Sequence, residues 1–278
     1  MRPLHSISSD HPRSPLLSIK SDEFGDTFPT FVDAIVSSGM NFSLFLHDFQ
    51  GSHLETALAA SAQSVVAANQ VIAERLFSQG VNATAAFCPG MPPLPRSSAA
   101  RINVLTFGMA HKIRAASYQK LHQLLENSGE TYQLRVSSAL HEETHLEQAL
   151  FTLSSDMYQL FGSSLTFLGF LSDELISQEL SSATLFAAFF TNGARENNTS
   201  VMTAMAHGTP VLTRLDQDSP PFMVHGKTVF DINQMQKLPE TLQMQSVGFH
   251  AQEVVRELNF DSLSKLLTCP LTSPSTSE

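Results

Sequence analysis

Apolar positions recur along this chain with two alternating periods. Over residues 31–36, 54–60 and 71–77 they fall at helical spacing, and between these segments lie the short apolar runs Phe42-Ser-Leu-Phe-Leu and Ser64-Val-Val-Ala-Ala, compact enough for buried strands. The alternation resumes after residue 100. Ile102-Asn-Val-Leu-Thr-Phe predicts a strand, Tyr118, Leu121, Leu124 and Leu125 line a helix face that stops at Gly129, and Tyr132, Leu134 and Val136 alternate as a strand. Next come a helix with Leu146, Ala149, Leu150 and Leu153 on one face, a strand Leu165-Thr-Phe-Leu, a helix through Leu175, Ile176 and Leu180, and the run Thr184-Leu-Phe-Ala-Ala-Phe-Phe. A helix over 199–207, stopped by Gly208, leads to a strand Pro210-Val-Leu-Thr. Such alternation places helices on both faces of parallel sheets, so the fold class is α/β, doubly wound.

Proline divides this pattern. Four prolines fall within Cys88-Pro-Gly-Met-Pro-Pro-Leu-Pro, which breaks any helix or central strand and predicts a linker. A short N-terminal Rossmann-like domain is expected over residues 26–95 and a larger one over 96–268, with loose Ser- and Pro-rich ends at 1–25 and 269–278. Two such domains imply a cleft, and ligands are expected beyond the carboxyl ends of the strands.

Composition narrows the ligand. The formal net charge is −10 and charged residues make up 15% of the 278, so no general basic field is offered to nucleic acid, and a phosphate must be met locally. Cys88 and Cys269 belong to no metal-spaced cluster and read as free thiols. The N-terminus lacks the apolar core of a signal peptide, and no apolar run approaches the roughly 18 residues of a membrane helix. A cytoplasmic protein is expected, with peripheral membrane contact left open.

Local phosphate chemistry is present. Asn197, Asn198, Thr199 and Ser200 open the helix over 199–207, where free backbone N–H groups and the positive dipole end coincide in an anion site. Arg96, Arg101, Lys112, Arg114 and Lys120 crowd one stretch of an otherwise acidic chain, and Lys112 and Arg114 fall at the same strand-end edge. Arg195 suits a phosphate or a carboxylate, and Glu196 suits sugar hydroxyls. His47 and Asp48 follow a strand and could orient an acceptor hydroxyl or act as base.

The ordered series of phrases resembles a known family. Thr203-Ala-Met-Ala-His-Gly-Thr-Pro-Val-Leu, Leu165-Thr-Phe-Leu-Gly-Phe-Leu-Ser-Asp-Glu-Leu and Pro221-Phe-Met-Val-His-Gly-Lys-Thr resemble the donor-binding region of nucleotide-sugar glycosyltransferases of the GT-B fold, group 1-like and retaining. Val104-Leu-Thr-Phe-Gly-Met-Ala-His-Lys-Ile-Arg stands where that family has a strand and a basic loop that grips the donor diphosphate. The resemblance covers roughly residues 31–267 and is most specific over 165–230. It implies transfer of a sugar from a nucleotide-diphosphate donor to a glycan, lipid-linked or small-molecule acceptor, with no metal and no further cofactor. The departures are specific too: the family's two glutamates fall at Arg195 and Thr203, its G-R arginine falls at Met109, and the N-terminal domain is short. A non-catalytic binding or scaffold protein on the same fold is the alternative.

A second motif competes. His141-Glu-Glu-Thr-His is a literal H-E-x-x-H, with histidines at i and i+4 as a zinc hydrolase requires. The catalytic zinc helix is buried, however, and Glu143 and Glu147 charge this one, so zinc is the remote reading. His141 lies just past a predicted parallel strand and is expected instead to touch the base or ribose of a nucleotide.

Overall fold

A computed structural model describes residues 14–97, 101–109, 113, 115–139 and 145–268. These form two compact units. One holds the residues up to Ala86 together with those from Ser264 on, and the other is Phe87–Leu263.

The first unit runs β1 (Leu16–Ile19), α1 (Phe28–Ser38), β2 (Ser43–Leu46), α2 (His53–Ser61), β3 (Ser64–Ala67), α3 (Gln70–Ser78) and β4 (Thr84–Ala85). Its four strands are parallel and stand in simple sequence order. Leu44, Leu46, Leu58, Ala67 and Leu76 are buried between sheet and helices, each large side chain contributing about 1.5–3 kcal/mol. Helix α2 begins with a capping box, in which the Ser52 hydroxyl accepts from the Glu55 amide and the Glu55 carboxylate accepts from the Ser52 amide. Asn69 caps α3 by accepting from Ile72 N–H at 2.8 Å.

The second unit contains β5 (Ile102–Met109), α4 (Gln119–Ser128), β6 (Tyr132–Ala139), α5 (His145–Phe161), β7 (Leu165–Gly169), α6 (Asp173–Ser182), β8 (Leu185–Ala187), α7 (Thr199–Ala206), β9 (Val211–Thr213), β10 (Phe230–Asp231), α8 (Thr241–Val255) and α9 (Phe260–Thr268), the division between units falling inside α9. The sheet is parallel with order β10-β9-β8-β5-β6-β7. Alternate residues of the central strands feed two cores. Val104, Leu185 and Ala187 join Leu121, Leu125 and Met157 on one face, while Leu105, Phe186 and Ala188 join Leu180, Val201 and Met205 on the other. The chain moves outward through β5, β6 and β7, then returns to lay β8 on the other side of β5. That reversal is a topological switch point, and it lies between β5 and β8.

Most sequence-expected elements stand where the periodicity put them, but three differences have physical causes. Strand β1 lies inside the stretch 1–25 expected to be loose; its Leu17 and Ile19, set among serines and prolines, gain their partner from β2, with Ile19 matched to Leu46. Strands β4 and β10 have two residues each, too few to show any period. The unit boundary falls at Ala86/Phe87 rather than at 95/96, because the start of the Pro-rich linker is packed into the second unit. There Cys88 N–H donates to Glu196 O at 3.0 Å, Met91 N–H donates to Thr203 Oγ1 at 3.1 Å, and a Cβ on Gly90 would stand 2.5 Å from Met202 O. Among the described residues no helix is long and apolar enough to cross a membrane.

Candidate functional site

The carboxyl edge at the β5–β8 switch is built from strand ends whose carbonyls are held by side chains. Thr106 Oγ1 and Tyr118 Oη both donate to Ala187 O, at 2.8 and 3.3 Å, and Thr213 Oγ1 donates to Ala188 O at 2.7 Å. These bonds fix the exit of β8 and give the Ala187 and Ala188 carbonyls side-chain donors. Next to it, Gly108 pairs in register with Ser138. Ser137 Oγ donates to Gly169 O at 3.0 Å, but the Ser138 hydroxyl, on a residue only 4% exposed, has no partner among the described residues. A buried hydroxyl without a hydrogen bond costs free energy, so Ser138 calls for a partner from beyond the described residues.

The loop after β8 is locked by Arg195. Its guanidinium forks onto Asp216, Nη1 to Oδ1 at 2.8 Å and Nη2 to Oδ2 at 2.9 Å, and Nη1 also donates to Ala194 O. Burial works to raise the Asp216 carboxyl, but the hydrogen bonds and charge of Arg195 outweigh it and hold the group below its ordinary value. The Arg195 N–H donates to Asn198 Oδ1 at 2.7 Å, and Asn198 N–H donates back to Arg195 O at 3.1 Å. This closed turn delivers the chain into α7. Thr199 N–H takes Asn197 O, and the next amides of the first turn have no acceptor within the helix. Glu196 is half-buried beside them, and burial raises its carboxyl against the opposing charge of Arg195.

Most of the sequence-expected residues have a place among the described ones. Glu196, Asn197, Asn198, Thr199 and Ser200 come together at the start of α7. Arg195 has its carboxylate, Asp216, and is a latch. Thr203, at the second glutamate position of the resemblance, is buried and accepts from Met91 N–H. Of the five clustered cations, Arg96, Arg101 and Lys120 donate to groups of this chain: Arg96 to Leu180 O, Ala183 O and Thr209, Arg101 to Asn103 and Gln133, and Lys120 to Asn233 O. Lys112, Arg114 and His141 lie outside the described residues, as do 142–144 of the H-E-x-x-H pattern. Among the described residues no group of three or more His, Cys, Asp or Glu is placed to hold a metal. The Arg195 partner was missed because Asp216 stands beyond another strand; the only signal in sequence is the Asp216-Gln-Asp218 pair after β9.

In the first unit, His47 and Asp48 lie at the carboxyl ends of β1 and β2. His47 N–H donates to Ile19 O, its Nε2 is 2.9 Å from Ser18 Oγ, and its ring stacks edge-on against Phe45. Burial lowers the pKa of the imidazole, although Glu23 and Asp48 pull the other way, and so favours the neutral form. Asp48 is raised, first by burial and then by Asp22, while Ser21 N–H donates to it at 3.2 Å. Beneath them Glu55, 1% exposed, receives Ser21 Oγ at 2.6 Å and the amides of Gln50 and Ser52. Burial works to raise this carboxyl, but those hydrogen bonds carry it below its ordinary value.

Behind α7 sits His207, fully buried, its Nδ1 2.9 Å from Thr203 O and its Nε2 unpartnered among the described residues. Burial lowers its pKa, so the unfolded chain binds a proton that the folded one resists. Stability is therefore complete above the unfolded value of about 6.5 and lost as pH falls below it. Thermal melts of His207→Gln should lose less stability than the parent protein between about pH 7 and 5; parallel curves would contradict this burial.

No protein-family model matches the sequence, and no curated protein matches it. Solved structures do match in fold. One is HepE of Anabaena, in complex with UDP and glucose, with a TM-score of 0.67 at 18% identity over 91% of this chain and 78% of that one. The sucrose-phosphate synthase of Thermosynechococcus elongatus gives 0.65 at 16% identity, covering 89% and 78%. The trehalose 6-phosphate synthase of Burkholderia multivorans gives 0.64 at 10% identity, covering 86% and 68%. The chain has the GT-B fold of these glycosyltransferases.

Proposed function

We propose that the protein is a glycosyltransferase that binds a nucleotide-diphosphate sugar at the carboxyl edge of its second unit. The observation that carries this reading is the start of α7, held beside the β5–β8 switch by the Arg195–Asp216 latch. The first-turn amides of α7 receive the diphosphate, with Lys112 and Arg114 as its cationic partners. The orphan hydroxyl of Ser138, with Gly108 leaving room beside it, receives the nucleoside together with His141. Glu196, whose carboxyl burial raises, hydrogen-bonds sugar hydroxyls. Preorganised donors stabilise the charge that develops on the leaving diphosphate, so the reading requires no metal. His47, neutral at physiological pH, accepts the proton of the acceptor hydroxyl, with Asp48 beside it.

A non-catalytic reading has its own support. The two positions where the resembled family has glutamates hold Arg195 and Thr203, and both side chains are engaged within the chain. Thermal-shift measurements with UDP, GDP and dTDP, each with its sugars, separate these readings from the rest. Stabilisation by one nucleotide series is expected, and no stabilisation by any of them would sink the donor site. Nucleotide binding without sugar transfer or donor hydrolysis across a broad acceptor panel would select the non-catalytic reading.

A further inference from the structure

At the opposite edge of the second sheet, where the strands begin, lies a cavity of about 490 Å³, within the range of small-molecule sites. Its walls come from Ser182 and Thr184 ahead of β8, the turn ahead of β9, Arg96, and Thr241, Gln245 and Phe249 of α8. Arg96 is fixed there by neutral partners. Nη1 donates to Leu180 O at 3.1 Å and Thr209 Oγ1 at 2.7 Å, and Nη2 donates to Ala183 O at 2.6 Å. Three of its five N–H groups are thereby used, two are left, and among the described residues the charge has no carboxylate partner. Arg135, Arg195 and Arg256 of the same chain all have one.

The rest of the lining fits a carbohydrate. Thr184, Thr241 and Gln245 bring hydroxyl and amide groups that both donate and accept, beside apolar surface from Ala183, Pro210 and Met244, and no acidic side chain of the described residues contributes, which disfavours a metal ion or an amine. Phe249, 60% exposed, offers an apolar face for ring C–H groups. We infer that this cavity binds a sugar monophosphate, with its phosphoryl group on Arg96 and its hydroxyls on the Thr184, Thr241 and Gln245 side chains. The site lies at the strand starts, away from the donor edge, and does not rest on the glycosyltransferase reading.

Calorimetric titration tests it, with glucose 6-phosphate as probe and glucose and inorganic phosphate as separate arms. Saturable binding of glucose 6-phosphate is expected, at least about tenfold tighter than either arm. Arg96→Leu would also release the Leu180, Ala183 and Thr209 anchors, so an exposed rim change carries the test. Gln245→Glu should weaken glucose 6-phosphate by about tenfold through like-charge repulsion. Its melting temperature and its response to UDP should match those of the parent. The proposal is overturned by no saturation at about 10 mM, by inorganic phosphate binding as tightly as the sugar phosphate, by a Gln245→Glu variant that binds unchanged, or by loss of UDP binding in that variant. UDP is read in the same samples, so failure here and failure of the donor site are told apart.

Discussion

Arg195→Ala should lower the unfolding free energy by about 2–3 kcal/mol and weaken nucleotide binding by at least about tenfold. The side chain is 11% exposed and its partner Asp216 is 32% exposed, so the pair is partly screened and the cost falls below that of a fully buried pair. Among the described residues Asp216 would keep the Asp218 amide and the Ser219 hydroxyl, and the turn that ends in Asn198 would lose its side-chain hold on the loop after β9. Urea unfolding reads the first effect and titration with UDP the second. Asp216→Asn, which keeps a hydrogen-bonding shape but removes the charge, should fall between the variant and the parent in both. If Arg195→Ala loses stability while UDP binding is untouched, the latch does not position a donor site.

Gly248→Ala should destabilise the protein by about 3 kcal/mol, although alanine normally strengthens a helix interior by about 1 kcal/mol. A Cβ at this position of α8 would stand 2.2 Å from Gly208 O and 3.1 Å from Gly208 C. Both are backbone atoms with no rotamer to adjust. The helix itself would have to move, and its neighbours Val247 and Ala251 fill separate cores on the two sides of the sheet. Differential scanning calorimetry gives the answer directly. A raised melting temperature would mean that α8 and the turn ahead of β9 do not meet closely.

These two positions also show what the sequence could carry. Buried parallel strands are written as apolar runs, so β2, β3, β5, β8 and β9 were legible one by one, and the glycine stops placed the ends of α4 and α7. Helix α8 was not legible, because Gln243, Gln245 and Gly248 interrupt its stripe and its apolar side is divided between two cores. The start of α7 could be read as an anion site from Asn198 and its neighbours alone. The latch behind it could not, since Arg195 and Asp216 are 21 residues apart with β9 between them. That Gly108 stands beside Ser138 is a property of register, and no local pattern encodes register between strands.

The unlike strand orders of the two sheets set a timetable for synthesis. In the first unit every strand pairs with the one just made, so the sheet can grow while the chain leaves the ribosome, and its low contact order favours fast folding. The second unit follows that rule at every strand but β8, which pairs with β5 rather than with β7. The bond from Thr106 to Ala187 joins residues 81 positions apart, so the centre of the sheet stays unpaired on one side until β8 is made. During that interval β5 is an open apolar edge, and such an edge is a template for aggregation until β8 covers it.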